Sequence, residues 1–181
     1  FGFSQYNLVG AMLQDLAIDG GLNSYNYGDQ IIGGSCLSIQ WQNHNQSATG
    51  DSWVDIPAGN SSGSYDILVT TELIPITEAL DSNLAPWTGC NLTPYKALDN
   101  FHDLAKSANP NTIIYMMEFH NEADFTQGSP TNVFNNWSAL NASTRPLWEH
   151  VADSVSQMNN GAKICIIPVA AASEALADSI M

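Results

Sequence analysis

Short apolar runs alternate with helix-like segments along most of this chain, and that alternation constrains the fold more than any other feature. The clearest runs are residues 65–70, 112–117 and 163–167, and each is bounded by turn residues. The segments 93–108 and 144–158, which lie between these runs, have the pattern of helices. Strands that are apolar throughout indicate a parallel sheet covered on both faces. The sequence therefore predicts an α/β fold with a mainly parallel sheet and right-handed crossovers.

Further elements are predicted on either side of this central part. A helix over residues 6–18 would carry Leu8, Met12, Leu13 and Leu16 on one side. A strand over 25–32 would end in Gly33-Gly34, and a last helix would cover 170–181. Thr93 is expected to cap the helix that begins at Pro94, and Pro146 to lie in the first turn of the helix over 144–158. Residues 43–64 and 119–142 are predicted as loops because they are rich in Gly, Ser and Asn or in Asn and Trp.

The charge of the chain excludes some classes of partner. Four Lys and Arg residues stand against 18 Asp and Glu, which gives a net charge of −14. Such a field repels nucleic acids and anionic membrane surfaces. No apolar run approaches the length of about eighteen residues that a membrane span requires. Only 12% of the residues are charged, and this neutral, polar surface favours a secreted or extracellular protein.

The cysteines and the Asn-x-Ser/Thr sequons point the same way. The three cysteines lack the Cys-x-x-Cys spacing of zinc ribbons and thioredoxin-like proteins, and Cys36 with Cys90 is the disulfide that we expect. Cys165 lies in an apolar strand and is predicted as a buried thiol. Five sequons are candidate glycosylation sites if the source is a eukaryotic secretory protein, and all are expected in loops or near helix starts: Asn45, Asn60, Asn91, Asn136 and Asn141.

Chemically capable side chains follow the predicted strands, and the carboxyl ends of parallel strands meet at one edge of a sheet. Ser4 stands at a turn into a helix, where it is either an alcohol nucleophile or a helix cap. Gly34 follows Gly33 at the end of a strand, where it either brings an amide close to an oxyanion or forms a tight turn. Glu72 either orients a histidine or caps the next segment.

Glu118, His120 and Glu122 alternate at the end of another predicted strand. This spacing fits a general base with its orienting carboxylate, a metal site, or an ordinary polar strand end. A metal is disfavoured because no second cluster of ligand-type residues accompanies the three. The other histidines, His44, His102 and His150, are weaker candidates. Of the tryptophans, Trp41, Trp53, Trp87 and Trp137 could wall a carbohydrate or acyl pocket, whereas Trp148 is expected in the core.

Taken together in chain order, these elements resemble the SGNH/GDSL-like hydrolase superfamily, and in particular bacterial SGNH-like proteins of poorly defined function. The resemblance rests on an ordered series of short motifs that spans nearly the whole chain: Gly2-Phe3-Ser4, Gln30–Gly34, Tyr65–Pro75, Asn109-Pro110, Tyr115–His120, Pro146–Glu149 and Ile166–Ala170. It implies a single domain over residues 1–181 with a flavodoxin-like three-layer α/β/α sandwich. It also implies ester hydrolysis through an acyl-serine, without a cofactor.

By position, the resemblance implies that Ser4 is the nucleophile and that the amides of Ser4 and Gly34 hold the oxyanion. The third donor of the family, usually an Asn, is replaced by Thr71-Glu72 here. The first strand of the family does not occur before Ser4, and its Asp-x-x-His motif does not follow the last predicted helix, so either they lie outside this chain, or residues of this chain take the role of the motif, or the protein is not an enzyme. Within the chain, His120 with Glu118 or Glu72 would then supply the base. The substrate is expected to be an ester, such as an O-acetylated carbohydrate. The alternative is a non-catalytic extracellular protein that binds glycans or assembles through an exposed sheet edge.

Overall fold

The computed structural model describes residues 15–21, 30–32, 35–44, 52–54, 65–72, 75–81, 89–119 and 130–180. Residues 15–19 are helical and form the described part of helix α1. The elements that follow are β1 (Gln30–Ile32), α2 (Leu37–Gln42), β2 (Ser52–Val54), β3 (Ile67–Thr71), α3 (Ile76–Leu80), α4 (Pro94–Ala108), β4 (Ile113–Met117), α5 (Pro130–Met158), β5 (Ile164–Ile167) and α6 (Val169–Ile180).

The three longest strands form a parallel sheet in the order β3-β4-β5. Ile67 pairs with Ile113 across the first junction, and Tyr115 pairs with Cys165 across the second. The predicted α/β class with a parallel sheet is thereby confirmed. Strands β1 and β2 pair antiparallel in a separate ribbon, so residues 52–54 form a strand within the segment that was predicted as a loop. That strand was missed because its Gly-, Ser- and Asn-rich surroundings dominate the local pattern.

Helix α4 follows its sequence signals closely. Thr93 is the N-cap residue in an extended conformation, and Pro94 occupies the first turn, where its missing N–H costs no helical hydrogen bond. The helix ends at Ala108, directly before Asn109 and Pro110. Its buried apolar side chains recur at helical spacing: Ala97, Leu98 and Phe101. This stripe packs against α2 and α5 and forms the centre of the core.

Helix α5 is much longer than the sequence predicted. It runs over 29 residues from Pro130 to Met158, so its first part occupies the segment that was predicted as a loop, and Pro146 lies inside it. The buried positions recur three or four residues apart: Asn141, Thr144, Trp148, Val151 and Val155. The first two are polar, and a search for apolar periodicity therefore stops short of them. Trp148 is 1% exposed, which places it in the core as predicted.

The two faces of the parallel sheet differ in burial. Ile114 and Met116 point toward α4 and α5 and are fully buried, whereas Ile67, Val69 and Ile113 on the other face are 54%, 49% and 47% exposed. We call this second face the open face. By register and pleat, its side chains are Ile67, Val69, Thr71, Ile113, Tyr115, Met117, Cys165 and Ile167.

The open face corrects two details of the sequence analysis. The apolar runs were expected to be buried on both sides, but half of their side chains remain accessible to solvent. Cys165 is a free thiol in β5 as expected, yet it is half-buried rather than buried, because its side chain belongs to the open face of an edge strand. None of the described helices is long and apolar enough to cross a membrane.

Candidate functional site

Two buried glutamates stand side by side at the carboxyl edge of the sheet. Glu72 directly follows β3, and Glu118 directly follows β4. The pairing of Thr71 with Met117 makes them neighbours in register, and they are 1% and 2% exposed. Carboxylates are almost never fully buried without a specific partner or role. The carboxyl edge is also where parallel α/β sheets bind their ligands, so we take it as the candidate site.

Glu72 holds the start of helix α2. Both of its carboxylate oxygens accept a hydrogen bond from the backbone N–H of Leu37, at 3.1 and 3.3 Å. Leu37 is the first residue of α2, and the N–H groups of a first helical turn have no partner inside the helix. A buried carboxylate is a strong acceptor for such a group. This contact gives Glu72 an anchoring role, while its predicted contact with a histidine stays a prediction.

The segment that Glu72 anchors is fixed by several other interactions. Ser35, Cys36, Leu37 and Ser38 are each at most 3% exposed. The Ser35 hydroxyl donates to the Ile32 carbonyl at 2.7 Å. The Ser38 hydroxyl accepts a hydrogen bond from the backbone N–H of Leu92 at 3.0 Å. The chain immediately after Gly34 is therefore held in place from several sides.

A disulfide joins Cys36 in this segment to Cys90, in the loop before α4. The structure thus confirms the predicted pairing. The bond spans 54 residues of sequence, with a Cα–Cα distance of 6.1 Å that is ordinary for a disulfide. It ties the start of α2 to the loop that leads into α4, whose helix supplies much of the core.

Glu118 is buried in a different setting from Glu72. Its backbone N–H donates to the Ile167 carbonyl at 3.0 Å, which links the end of β4 to the end of β5. Its Oε2 is buried and has no hydrogen-bond partner in the described part of the chain. Burial raises the pKa of this carboxyl, while the charge of Arg145 and the backbone N–H groups of Ala170 and Ala171 oppose that rise. Glu118 therefore lies at the amino end of α6 with one buried oxygen that has no hydrogen-bond partner among the described residues.

An apolar groove lies along the end of β5 and the start of α6. It has a volume of about 320 Å³, and its lining is almost entirely apolar. The residues that form it are Ile167, Pro168, Val169, Ala172, Ser173 and Leu176. Because Ile167 ends β5 and its carbonyl accepts the backbone N–H of Glu118, the groove begins at the carboxyl edge of the sheet.

Several predicted site residues lie outside the described residues, namely Ser4, Gly34 and His120, and with them the sequons Asn45 and Asn60. Of the other sequons, Asn91 is exposed in a loop and Asn136 is exposed on α5. Asn141 is 2% exposed in the middle of α5, so the expectation of a loop was wrong there, and a glycan at Asn141 is incompatible with this fold.

The described histidines lie on helices or directly after one. The His44 ring stacks on Trp41, with ring centroids 4.0 Å apart, and Trp41 in turn contacts Phe101 edge to face. His102 is buried on α4 with its Nδ1 3.1 Å from Asp103 Oδ1, and His150 is exposed on α5. Trp41 and Trp137 lie on helices rather than in loops.

The charge of Arg145 acts on Glu118, but Arg145 was not among the predicted site residues. Arg145 is the only arginine of the chain, and its Nε donates to Glu149 at 3.2 Å across one helical turn of α5. It was missed because its segment was taken as the start of a helix, far from the strand ends. A single arginine in a chain with a net charge of −14 is the signal that could have identified it.

Three comparisons, with protein-family models, curated proteins and solved structures, each found no match for this chain.

Proposed function

We propose that this chain is a serine esterase of the SGNH type, with Ser4 as its nucleophile and the carboxyl edge of the sheet as its site. The observation that carries the proposal is Glu118: a buried carboxyl with an unpartnered oxygen, at a strand end and two residues before His120. Buried carboxyls with a displaced pKa cluster at catalytic sites. The resemblance of the motifs to SGNH/GDSL-like hydrolases supplies the reaction class.

In the proposed reaction, Ser4 Oγ attacks the ester carbonyl while an imidazole takes its proton. The amides of Ser4 and Gly34 hold the oxyanion, and the imidazole returns the proton to the leaving alcohol. Water then enters by the same route, with the imidazole as base, and releases the acid. His120 is the base within this chain, oriented by Glu118, and the family's Asp-x-x-His motif is the alternative source of the imidazole.

Glu72 contributes through the backbone in this proposal. It fixes the N–H of Leu37, and the disulfide at Cys36 and the hydrogen bonds of Ser35 immobilise the residues between that point and Gly34. An oxyanion donor must be preorganised to be effective, because a donor that has to reorient stabilises the transition state less. The apolar groove along α6 would take the apolar part of the ester, and an O-acetylated carbohydrate remains the substrate class that we propose.

The test is covalent labelling with a fluorophosphonate, followed by peptide mass spectrometry. We expect an adduct on Ser4 in the wild-type protein and none in Ser4→Ala. Ser143→Ala is the matched control, because Ser143 is an exposed serine whose hydroxyl donates within α5. Hydrolysis of p-nitrophenyl acetate should fall by orders of magnitude in Ser4→Ala and remain unchanged in Ser143→Ala. An unlabelled Ser4, or equal rates in the two variants, would refute the esterase proposal.

The second candidate is a non-catalytic module that assembles through its sheet. The position of β3 at one edge of the β3-β4-β5 order favours it, since an edge strand offers backbone groups to another chain. Strand β3 also carries no charged residue or proline over Ile67–Thr71 that would discourage pairing. Light scattering separates the candidates: a defined oligomer without Ser4 labelling supports assembly, and a labelled monomer supports the esterase.

A further inference from the structure

The end of strand β1 is fastened to the residues before helix α2 by hydrogen bonds on either side of Gly33-Gly34. The backbone N–H of Ser35 donates to the Ile32 carbonyl at 3.2 Å, and the Ser35 hydroxyl donates to the same carbonyl at 2.7 Å. We call this contact between Ile32 and Ser35 the junction. Two glycines separate Ile32 from Ser35 in the sequence, and glycine has more backbone freedom than any other residue. The hydrogen bonds of the junction therefore have to supply its rigidity.

The side chain of Gln40, in helix α2, binds both sides of the junction. Its Nε2 donates to the Ser35 hydroxyl at 2.8 Å and to the Ile32 carbonyl at 3.5 Å. The Ser35 hydroxyl thus accepts from Gln40 and donates to Ile32, so one chain of hydrogen bonds uses both of its capacities. Ser35 is 3% exposed, and at such a buried position water competes little with these bonds.

A second glutamine determines which way the amide of Gln40 faces. Gln30, in β1, donates from its Nε2 to Gln40 Oε1 at 3.0 Å and also to the backbone carbonyl of Gln40. The amide oxygen of Gln40 is therefore turned toward Gln30, and its Nε2 toward the junction. In the opposite orientation, the amide nitrogens of the two glutamines would face each other, and neither can accept a hydrogen bond. Gln30 thus acts on the junction through Gln40.

We propose that Gln40 is a positioning residue that holds the junction, with Gln30 as the residue that orients it. The catalytic part of this inference rests on the proposed function, in which the amide of Gly34 is an oxyanion donor. A fixed junction keeps that donor in place. Because the oxyanion forms in the transition state, a loosened donor lowers kcat and leaves KM unchanged. The hold of Gln40 on the junction itself requires no activity.

Hydrogen–deuterium exchange with peptide mass spectrometry measures the junction directly. Gln40→Met keeps the length of the side chain and removes its hydrogen bonds. Gln42→Met is the matched control, because Gln42 lies in the same helix and its Nε2 donates to the Gly89 carbonyl at 2.8 Å, away from the junction. One hydrogen bond typically contributes a factor of about five. We therefore expect the peptide that contains Ser35 to exchange about five times faster in Gln40→Met and at the wild-type rate in Gln42→Met. Peptides from α4 report global unfolding and should exchange at the wild-type rate in both variants.

Hydrolysis of p-nitrophenyl acetate measures the catalytic part. We expect kcat to fall about five-fold in Gln40→Met with KM unchanged, and neither constant to change in Gln42→Met. The variants Gln30→Met and Gln30→Met/Gln40→Met complete a double-mutant cycle. The double variant should match Gln40→Met, because Gln30 acts through Gln40.

Unchanged exchange at Ser35 in Gln40→Met, an equal acceleration in α4, or additive effects of the two glutamines would overturn the proposal. So would an unchanged kcat in a Gln40→Met protein whose junction exchanges faster. If the fluorophosphonate does not label Ser4, the esterase proposal fails by itself, and the exchange rates still decide whether Gln40 holds the junction.

Discussion

The Cys36–Cys90 disulfide should contribute a large share of the stability of this fold. Breaking it removes a crosslink between positions 54 residues apart. The loss of that constraint on the unfolded chain corresponds to about 4 kcal/mol of unfolding free energy at this loop length. For a chain of 181 residues, such a loss lowers the melting temperature by roughly 10 °C. Alanine is the appropriate replacement at Cys36, which is 2% exposed, because a serine hydroxyl there would add its own burial penalty.

The assay is urea unfolding of the variants Cys36→Ala, Cys90→Ala and the double variant. Each single change already breaks the whole crosslink. The three variants should therefore lose similar amounts of unfolding free energy, and the effects of the two single changes should be strongly non-additive. Cys165→Ala is the control, because Cys165 is free and half-buried and its loss should cost less than about 1 kcal/mol. A double variant within about 1 kcal/mol of the wild type, or additive single losses, would refute the crosslink argument.

The remaining predictions concern the buried carboxylates. Burial raises the pKa of Glu118, so the wild-type protein should lose stability as the pH rises above about 4. In urea unfolding across pH, the stability of Glu118→Gln relative to the wild type should therefore increase toward neutral pH. The pKa of Asp99 is lowered chiefly by its hydrogen bond with Lys96, and Asn159 donates to it at 2.8 Å. Asp99→Asn should therefore cost about 1 kcal/mol at neutral pH in the same assay, and the difference should vanish as the pH falls below the usual aspartate range. Glu72→Ala strands the buried N–H of Leu37 and should cost about 2 kcal/mol, whereas Glu72→Gln, which keeps an acceptor, should cost clearly less in thermal or urea unfolding.

The sequence predicts best those elements in which local signals and tertiary packing agree. Helix α4 has its cap position, its Pro94 and its apolar spacing all in place, and it forms where expected. Strands β3, β4 and β5 follow their apolar runs, and the single plausible disulfide forms. In each case several independent cues favour the same structure, which is the condition under which a sequence specifies its fold.

Predictions from the sequence are wrong where tertiary contacts override the local pattern. The first half of α5 buries two polar residues, Asn141 and Thr144, so its amphipathic character is hidden from a count of apolar residues. The apolar strands could not reveal which face is covered, since Ile67 and Leu68 look alike in sequence but lie on opposite faces. The same division holds at the site. Glu72 and Glu118 were recognisable as strand-end carboxylates, but the groups that act on them, the N–H of Leu37 and the charge of Arg145, are distant in sequence.

The contrast between the two glutamates argues that stability does not explain both. Glu72 uses both oxygens on the N–H of Leu37, so its burial satisfies a helix end that would otherwise be unpaired. Glu118 is just as buried, but its Oε2 has no partner among the described residues, and the burial that raises the pKa of this carboxyl disfavours its charged form. An apolar side chain of similar volume would avoid that penalty of about 1–3 kcal/mol. This stability cost, at the edge where such sheets bind ligands, is the reason that the proposed function is placed on Glu118.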